Sequence, residues 1–398
     1  MKNYIFIQTF LFFFFFSCSG KIAEKQTSVE LQTISIKDGE IEKLTEADVL
    51  KSIHFVPLET TDSCLVGGEI KQLEIFEGKI FLLDMNAQIF AFNCSGKFLQ
   101  RIGKRGPGPE EYVNATHLYI DPFQKCICIY DASTSYMVRY TLDGTYLNRS
   151  KVQINHKNIL VSHVNFWDKR HILIQPNNSP TSLYNYVVLN DEKNEVTIQS
   201  YHLPYLGIGD NSNSLGKANY CIGKNFYATR LFSDTIYQWT KEQFVPKFIL
   251  ETGLKHAAKE VVDEYAPYFI IAEAKGKLNQ NGYSIGIDRL FSTDNYLHFQ
   301  YSGLGFFDAI FWNFSSDKGY LYRTKHDSNP LFLFYHNIMS TSEDALIRYL
   351  TVEELYSWED KFRSTNHPEV PELYKNLKEE DNPVLVLYDY DKLLSRFK

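Results

Sequence analysis

A pattern that returns every 47 or 48 residues constrains this chain more than any other feature. Lys79-Ile-Phe-Leu-Leu-Asp84, Ile89-Phe-Ala-Phe and Ser95-Gly96-Lys-Phe-Leu-Gln-Arg-Ile102 form one copy. Cys126-Ile-Cys-Ile-Tyr-Asp131, Tyr136-Met-Val-Arg-Tyr and Asp143-Gly144-Thr-Tyr-Leu form the next. Each reads as an apolar strand ending in Asp, a second strand, a tight turn at Ser-Gly or Asp-Gly, and a third strand. Looser copies follow at His171-Ile-Leu-Ile with Tyr184-Asn-Tyr-Val-Val-Leu, at Thr235-Ile-Tyr-Gln-Trp239, and at Tyr296-Leu-His-Phe-Gln-Tyr301. The last is expected to use Leu331-Phe-Leu-Phe-Tyr335 and Pro383-Val-Leu-Val-Leu-Tyr388. Four-stranded units of this length cannot bury both faces alone, so they close into a ring. Six fit between Glu69 and Tyr390, which predicts an all-β chain, a six-bladed β-propeller with short helical insertions. Ile53-His-Phe-Val-Pro-Leu-Glu59 precedes the first copy and is expected to complete the last blade.

Composition agrees. Of 398 residues, 27 are Tyr and 30 Phe against 4 Trp, and these two aromatic types favour pleated, half-buried surfaces. A net charge of −7 opposes nucleic-acid binding, which needs a basic face. The β rhythm breaks at about 254–280, read as a helical insertion. It breaks again at about 351–363, where Thr351-Val-Glu-Glu354 is a capping box, and at about 371–380, where Pro371 sits in a first turn.

The N-terminus carries an address. Lys2 is followed by an apolar run over residues 4–16 and by Ser17-Cys18-Ser19-Gly20. The run is shorter than the roughly 20 residues a membrane span needs, so residues 1–17 read as an export signal. Phe15-Phe16-Ser17-Cys18 resembles the lipobox of bacterial lipoproteins, which implies lipidation at Cys18 and a membrane held through that lipid. Residues 18–45 are expected to be a flexible tether, and 46–398 the propeller. The other five cysteines are odd in number, and Cys126 and Cys128, two apart on a strand, share one face as buried thiols pack.

Arg101-Ile-Gly-Lys-Arg-Gly-Pro-Gly-Pro-Glu-Glu-Tyr112, with Phe55-Val-Pro-Leu-Glu-Thr-Thr61 and Asn382-Pro-Val-Leu-Val-Leu, resembles the six-bladed β-propeller lipoproteins of Bacteroidota. The likeness covers residues 50–390. It implies a cell-envelope, outer-membrane address but no reaction. Similar NHL and TolB-like propellers mostly bind other molecules, with a minority of enzymes.

Candidate sites follow from the charges. Residues 103–109 are no phosphate cradle, because the prolines remove the N–H donors phosphate needs. Arg101, Lys104, Arg105, Glu110, Glu111 and Tyr112 either pair among themselves to fix the crossover or form a ligand-binding rim, with Tyr112 as a stacking surface. Asp84 and Asp131 end equivalent strands, and Arg230 stands near that position in the fourth copy. The two acids read as hydrogen-bonded turn residues, as part of a channel-facing ring for Ca²⁺, or as an acid–base pair for glycoside cleavage. No histidine spacing or nucleophile motif points to a metal, another cofactor or a catalytic residue. The expected function is a lipid-anchored, monomeric binding module for a glycan, peptide or envelope protein, without nucleic acid. The alternative is a channel-mouth polysaccharide hydrolase or lyase.

Overall fold

The computed structural model describes residues 30–154, 157–158, 161–176, 186–190, 195–200, 219–229, 232–257, 261, 264, 271–303, 306–325, 328–334 and 338–398. The chain forms six blades around a central channel. The first comprises Ile70–Phe76, Lys79–Asp84, Ile89–Asn93 and Phe98–Arg101, from channel to rim. Ala115–Asp121, Cys126–Asp131, Tyr136–Thr141 and Tyr146–Lys151 repeat that order in the second. The turn glycines of the repeat, Gly96 and Gly144, both take the left-handed backbone, at φ 81° and 78°, that closes a tight hairpin. The third blade is built from Val161–Phe166, His171–Pro176, Tyr186–Asn190 and Glu195–Ser200. The fifth is built from Ile287–Ser292, Tyr296–Gly303, Phe306–Asn313 and Lys318–Lys325.

The ring closes as expected. Ile53–Pro57 pairs antiparallel with Val384–Asp389, Phe55 opposite Val386, so the sixth blade takes strands from both ends of the chain. Six clusters of buried apolar side chains, one at each blade interface, hold the ring together. Cys126 and Cys128 lie in the second of these interfaces with their Sγ atoms 3.9 Å apart, as free thiols.

Two expectations are corrected. The tether read over residues 18–45 ends sooner, since Gln32–Ser35 adds in parallel to the outer strand of the fourth blade, Phe244–Glu251. Glu42–Lys43 adds likewise to Lys318–Lys325 of the fifth. Ile34, Ile36 and Leu44 are buried there, and the strap satisfies backbone groups that an open edge would leave bare. Cys18 and residues 1–29 lie outside the described residues. In the sixth blade, Leu331-Phe-Leu-Phe is not a strand. Pro330–Phe332 is a 3-10 turn opened by Asn329, whose Oδ1 accepts the Leu331 amide at 3.1 Å. The blade uses Ile338–Thr341 and Ala345–Leu350 instead. A buried apolar run looks alike in either conformation, and Arg348 disguised the true strand. Its guanidinium is fully buried and donates to the Pro330 carbonyl at 2.8 Å.

The helices lie near their expected places. The Thr351 side chain accepts the Glu354 amide, opening Val352–Ser357, and Glu359–Arg363 follows after a break at Trp358. Val370–Asn376 carries Pro371 in its first turn. Of the insertion at 254–280, the helix Ile271–Gln280 is described, whereas 258–260, 262–263 and 265–270 are outside the described residues. No helix among the described residues is long and apolar enough to cross a membrane.

Candidate functional site

The two ends of the channel are chemically different. Inner and second strands meet in hairpins at one end, where Phe76 pairs with Lys79. Blades connect at the other, where Ile70 pairs with Asp84 and the chain crosses from blade to blade.

At the crossover end the conspicuous charges are engaged locally. Asp84 is fully buried; its Oδ2 accepts the Gly67 amide at 2.9 Å and its Oδ1 the Gln88 amide at 2.7 Å. Asp131, also buried, accepts the amides of Val113 at 2.8 Å and Ser133 at 3.0 Å. Each acid ties the strand entering its own blade to a turn. Arg230 lies outside the described residues. Tyr112 is 2% exposed, packed beside Ile102, Ala115 and Tyr140, and its hydroxyl donates to the Ile102 carbonyl at 3.3 Å. The expected stacking surface is therefore absent at Tyr112, because its ring fills the seam between the first two blades. Arg101 Nε donates to the Ser63 carbonyl and Arg105 Nε to the Val113 carbonyl, both at 3.1 Å. Glu111 Oε2 accepts the Gly108 amide at 3.0 Å, and Lys104 lies 3.7 Å from its other oxygen. The carbonyl of Glu110 takes the Tyr140 hydroxyl at 2.6 Å.

The hairpin end holds a funnel of about 840 Å³. Residues 74–78, 119–120, 122–123, 163–166, 221–224, Asp294 and 342–345 contribute to its lining, so every blade's segment of the ring faces it. A repeated irregularity shapes its walls. The inner strands of the first, second, third, fifth and sixth blades each shift register near their start, just before Gln72, His117, His163, Arg289 and Ser340. Such bulges re-aim the side chains that follow. Two residues further on, Glu74 and Tyr119 occupy the same position of neighbouring blades.

These residues make a polar floor without full charge. Burial lifts the Glu74 carboxyl well above its ordinary range, opposed by the hydrogen bond from Gln72 at 3.1 Å. Burial, then the neighbouring His117, pushes His163 down to about 4, so the ring is neutral at pH 7. Tyr119 is 2% exposed between these groups, edge-on to His163 at 5.6 Å between centroids. Its hydroxyl has no hydrogen-bond partner among the described residues. Around the floor stand Ile75, Phe76, Ile120, Phe123, Phe166 and Ile222. Charge is confined to the lip. Glu77 pairs with Lys125 at 2.5 Å across two hairpins, and Asp294 accepts the Lys224 amide at 2.7 Å. Among the described residues, no group of three or more His, Cys, Asp or Glu is placed to hold a metal ion.

Glu74, Tyr119 and His163 were passed over as site residues in the sequence. The signal was present. Laying Ile70-Lys-Gln-Leu-Glu74 over Ala115-Thr-His-Leu-Tyr119 puts Glu74 and Tyr119 in one register, but only ring closure shows that this register reaches the channel.

Comparison with known proteins is consistent with this architecture. A family model described as a domain of unknown function, DUF4934, matches residues 31–389. A solved Bacteroides fragilis protein, described as exported, superposes with a TM-score of 0.69 at 19% identity, covering 89% of this chain and 99% of that one. A Bacteroides vulgatus member of the DUF4221 family gives a TM-score of 0.51 at 12% identity, with 85% and 96% covered. At these identities the likeness shows the fold. No curated protein matches the chain.

Proposed function

The chain belongs to the DUF4934 family, and from that premise and the chemistry of the hairpin end we propose that it is an exported binding module whose ligand enters the funnel. The observation that carries this reading is a cavity of about 840 Å³ floored by buried polar groups and walled by apolar ones. Small-ligand sites share that make-up and lie mostly between 300 and about 1,000 Å³. Export is supported by the apolar leader at residues 4–16, and by the Bacteroides fragilis neighbour described as exported. In this reading Cys18 carries the lipid that holds the chain on the outer membrane. Cys18→Ala is then expected to leave the membrane fraction; retention there overturns the anchor.

The binding function is tested by thermal shift and equilibrium titration of the full chain against panels of oligosaccharides and peptides, with and without EDTA. A ligand at 100 times its Kd stabilises by about 2.7 kcal/mol. Phe123 is 40% exposed on the lip, so Phe123→Ser is expected to abolish the shift and leave the unliganded melting temperature unchanged. A shift indifferent to Phe123, or none across the panels, overturns the funnel as the site. One observation favours a second, enzymatic reading. A carboxyl that burial lifts well above its ordinary range, beside a tyrosine, is what a general acid needs. Oligosaccharides from the same titrations are therefore assayed for cleavage, and loss of turnover in Glu74→Gln with binding intact would establish it.

A further inference from the structure

We propose that the funnel takes a basic peptide segment, a stretch in which lysine or arginine alternates with aliphatic or aromatic residues. This rests on the funnel being the ligand site. The charge at the mouth is lopsided. On the fifth- and sixth-blade side the lip carries Asp294, Glu343, Asp344 and Asp389, and among the described residues two lysines, Lys224 and Lys392, face them in the lining. On the first- and second-blade side, Glu77 is already matched by Lys125. The mouth therefore presents excess negative charge on one side and apolar side chains, Phe76, Phe123 and Phe166, on the other.

The acids are spread along the lip and do not converge, which suits separated ammonium or guanidinium groups; no metal cluster forms among the described residues. The floor supplies what a peptide backbone lacks in an apolar pocket. The Tyr119 hydroxyl, buried at the floor, has no hydrogen-bond partner among the described residues and is a donor for a carbonyl that reaches it. A neutral oligosaccharide would leave the lip carboxylates unmatched, and an acidic peptide would be repelled by them.

The test uses a fluorescent, acetylated and amidated hexapeptide alternating leucine and lysine, its glutamate counterpart, and maltohexaose as a competitor. The lysine peptide is expected to bind at least tenfold tighter than the glutamate peptide and to weaken several-fold from low to moderate salt. Glu343→Gln with Asp344→Asn is expected to weaken it about fivefold without moving the melting temperature, since neither side chain is needed for folding. Tyr119→Phe is expected to weaken both peptides alike at any salt, a signature that loss of lip charge does not give. Equal binding of the two peptides, or displacement by maltohexaose at a site that depends on Phe123, overturns the peptide inference and leaves the funnel standing. Peptide binding that ignores Phe123→Ser overturns both.

Discussion

The crossover end and the hairpin end of the ring divide polar residues by purpose. At the crossover end, Asp84, Asp131, Arg101, Arg105 and Glu111 each meet a backbone group of a nearby turn or adjoining loop, at hydrogen-bond distances of 2.7–3.1 Å. They brace the first two blades where the chain enters them and crosses from one to the next. At the hairpin end the turns are braced in the same way, Asp121 accepting the Phe123 and Gln124 amides at 2.8 and 3.0 Å. The funnel floor adds a tyrosine hydroxyl without a hydrogen-bond partner among the described residues, a buried acid and a neutral histidine. Charge that is conspicuous in a sequence is thus engaged in architecture here, and the groups open to a ligand look ordinary.

This contrast is open to attack at several points. The largest effect is expected for Asp131→Ala, which removes the buried carboxylate that accepts the part-buried amides of Val113 and Ser133. A fully buried orphaned group costs about 1–3 kcal/mol, so at these two part-buried amides urea titration should show a loss of about 2 kcal/mol or more. A smaller loss would mean that the crossover end tolerates disruption as a binding surface does. Gly103→Ala comes next. Its φ is +63°, and an added Cβ would lie 2.7 Å from the Tyr140 ring, so a loss of about 1–3 kcal/mol is expected. Peptide binding at the opposite end should be unchanged in the folded fraction.

The third effect is on pH. His163 is pushed down to about 4 and His298, fully buried in the fifth blade, to about 3, both mainly by burial. The unfolded chain takes up protons on both near pH 6.5 and the folded chain resists them. Their contribution to stability is complete above about pH 6.5 and falls as the pH drops towards the folded values. His163→Gln should flatten the acid limb of a urea-midpoint profile. Glu74 has the opposite sign: its folded value is raised, so its contribution is complete below the ordinary carboxyl range and is lost as pH rises. Glu74→Gln should steady the neutral limb. The smallest effect on stability belongs to Tyr119→Phe. Removing a buried hydroxyl without a partner should leave unfolding within about 0.5 kcal/mol of the parent, or raise it. A large loss there would show that the hydroxyl is structural and erase the difference between the two ends.

Much of the ring was legible beforehand. The 48-residue spacing rests on strand length and turn chemistry, which are local, so the first two blades and the closing strand Ile53–Pro57 fell where expected. Legibility failed where one pattern serves two conformations. Leu331-Phe-Leu-Phe buries equally well in a 3-10 turn, and Ala345–Leu350 hides a strand behind a buried arginine. It failed again where a strand exists only because another edge accepts it. Gln32–Ser35 is short and polar, and it is ordered by Phe244–Glu251, more than 200 residues away along the chain.

The sequence by itself determined the blade repeat, the turns and the helix caps, because each depends on residues within a few positions of one another. Tertiary structure alone decided which end of the channel is open. Closure of the ring turns Asp84 and Asp131 inward onto amides and brings Glu74, Tyr119 and His163 from three blades to one floor. That choice rests on distances between residues 40 and more positions apart, which no local pattern encodes.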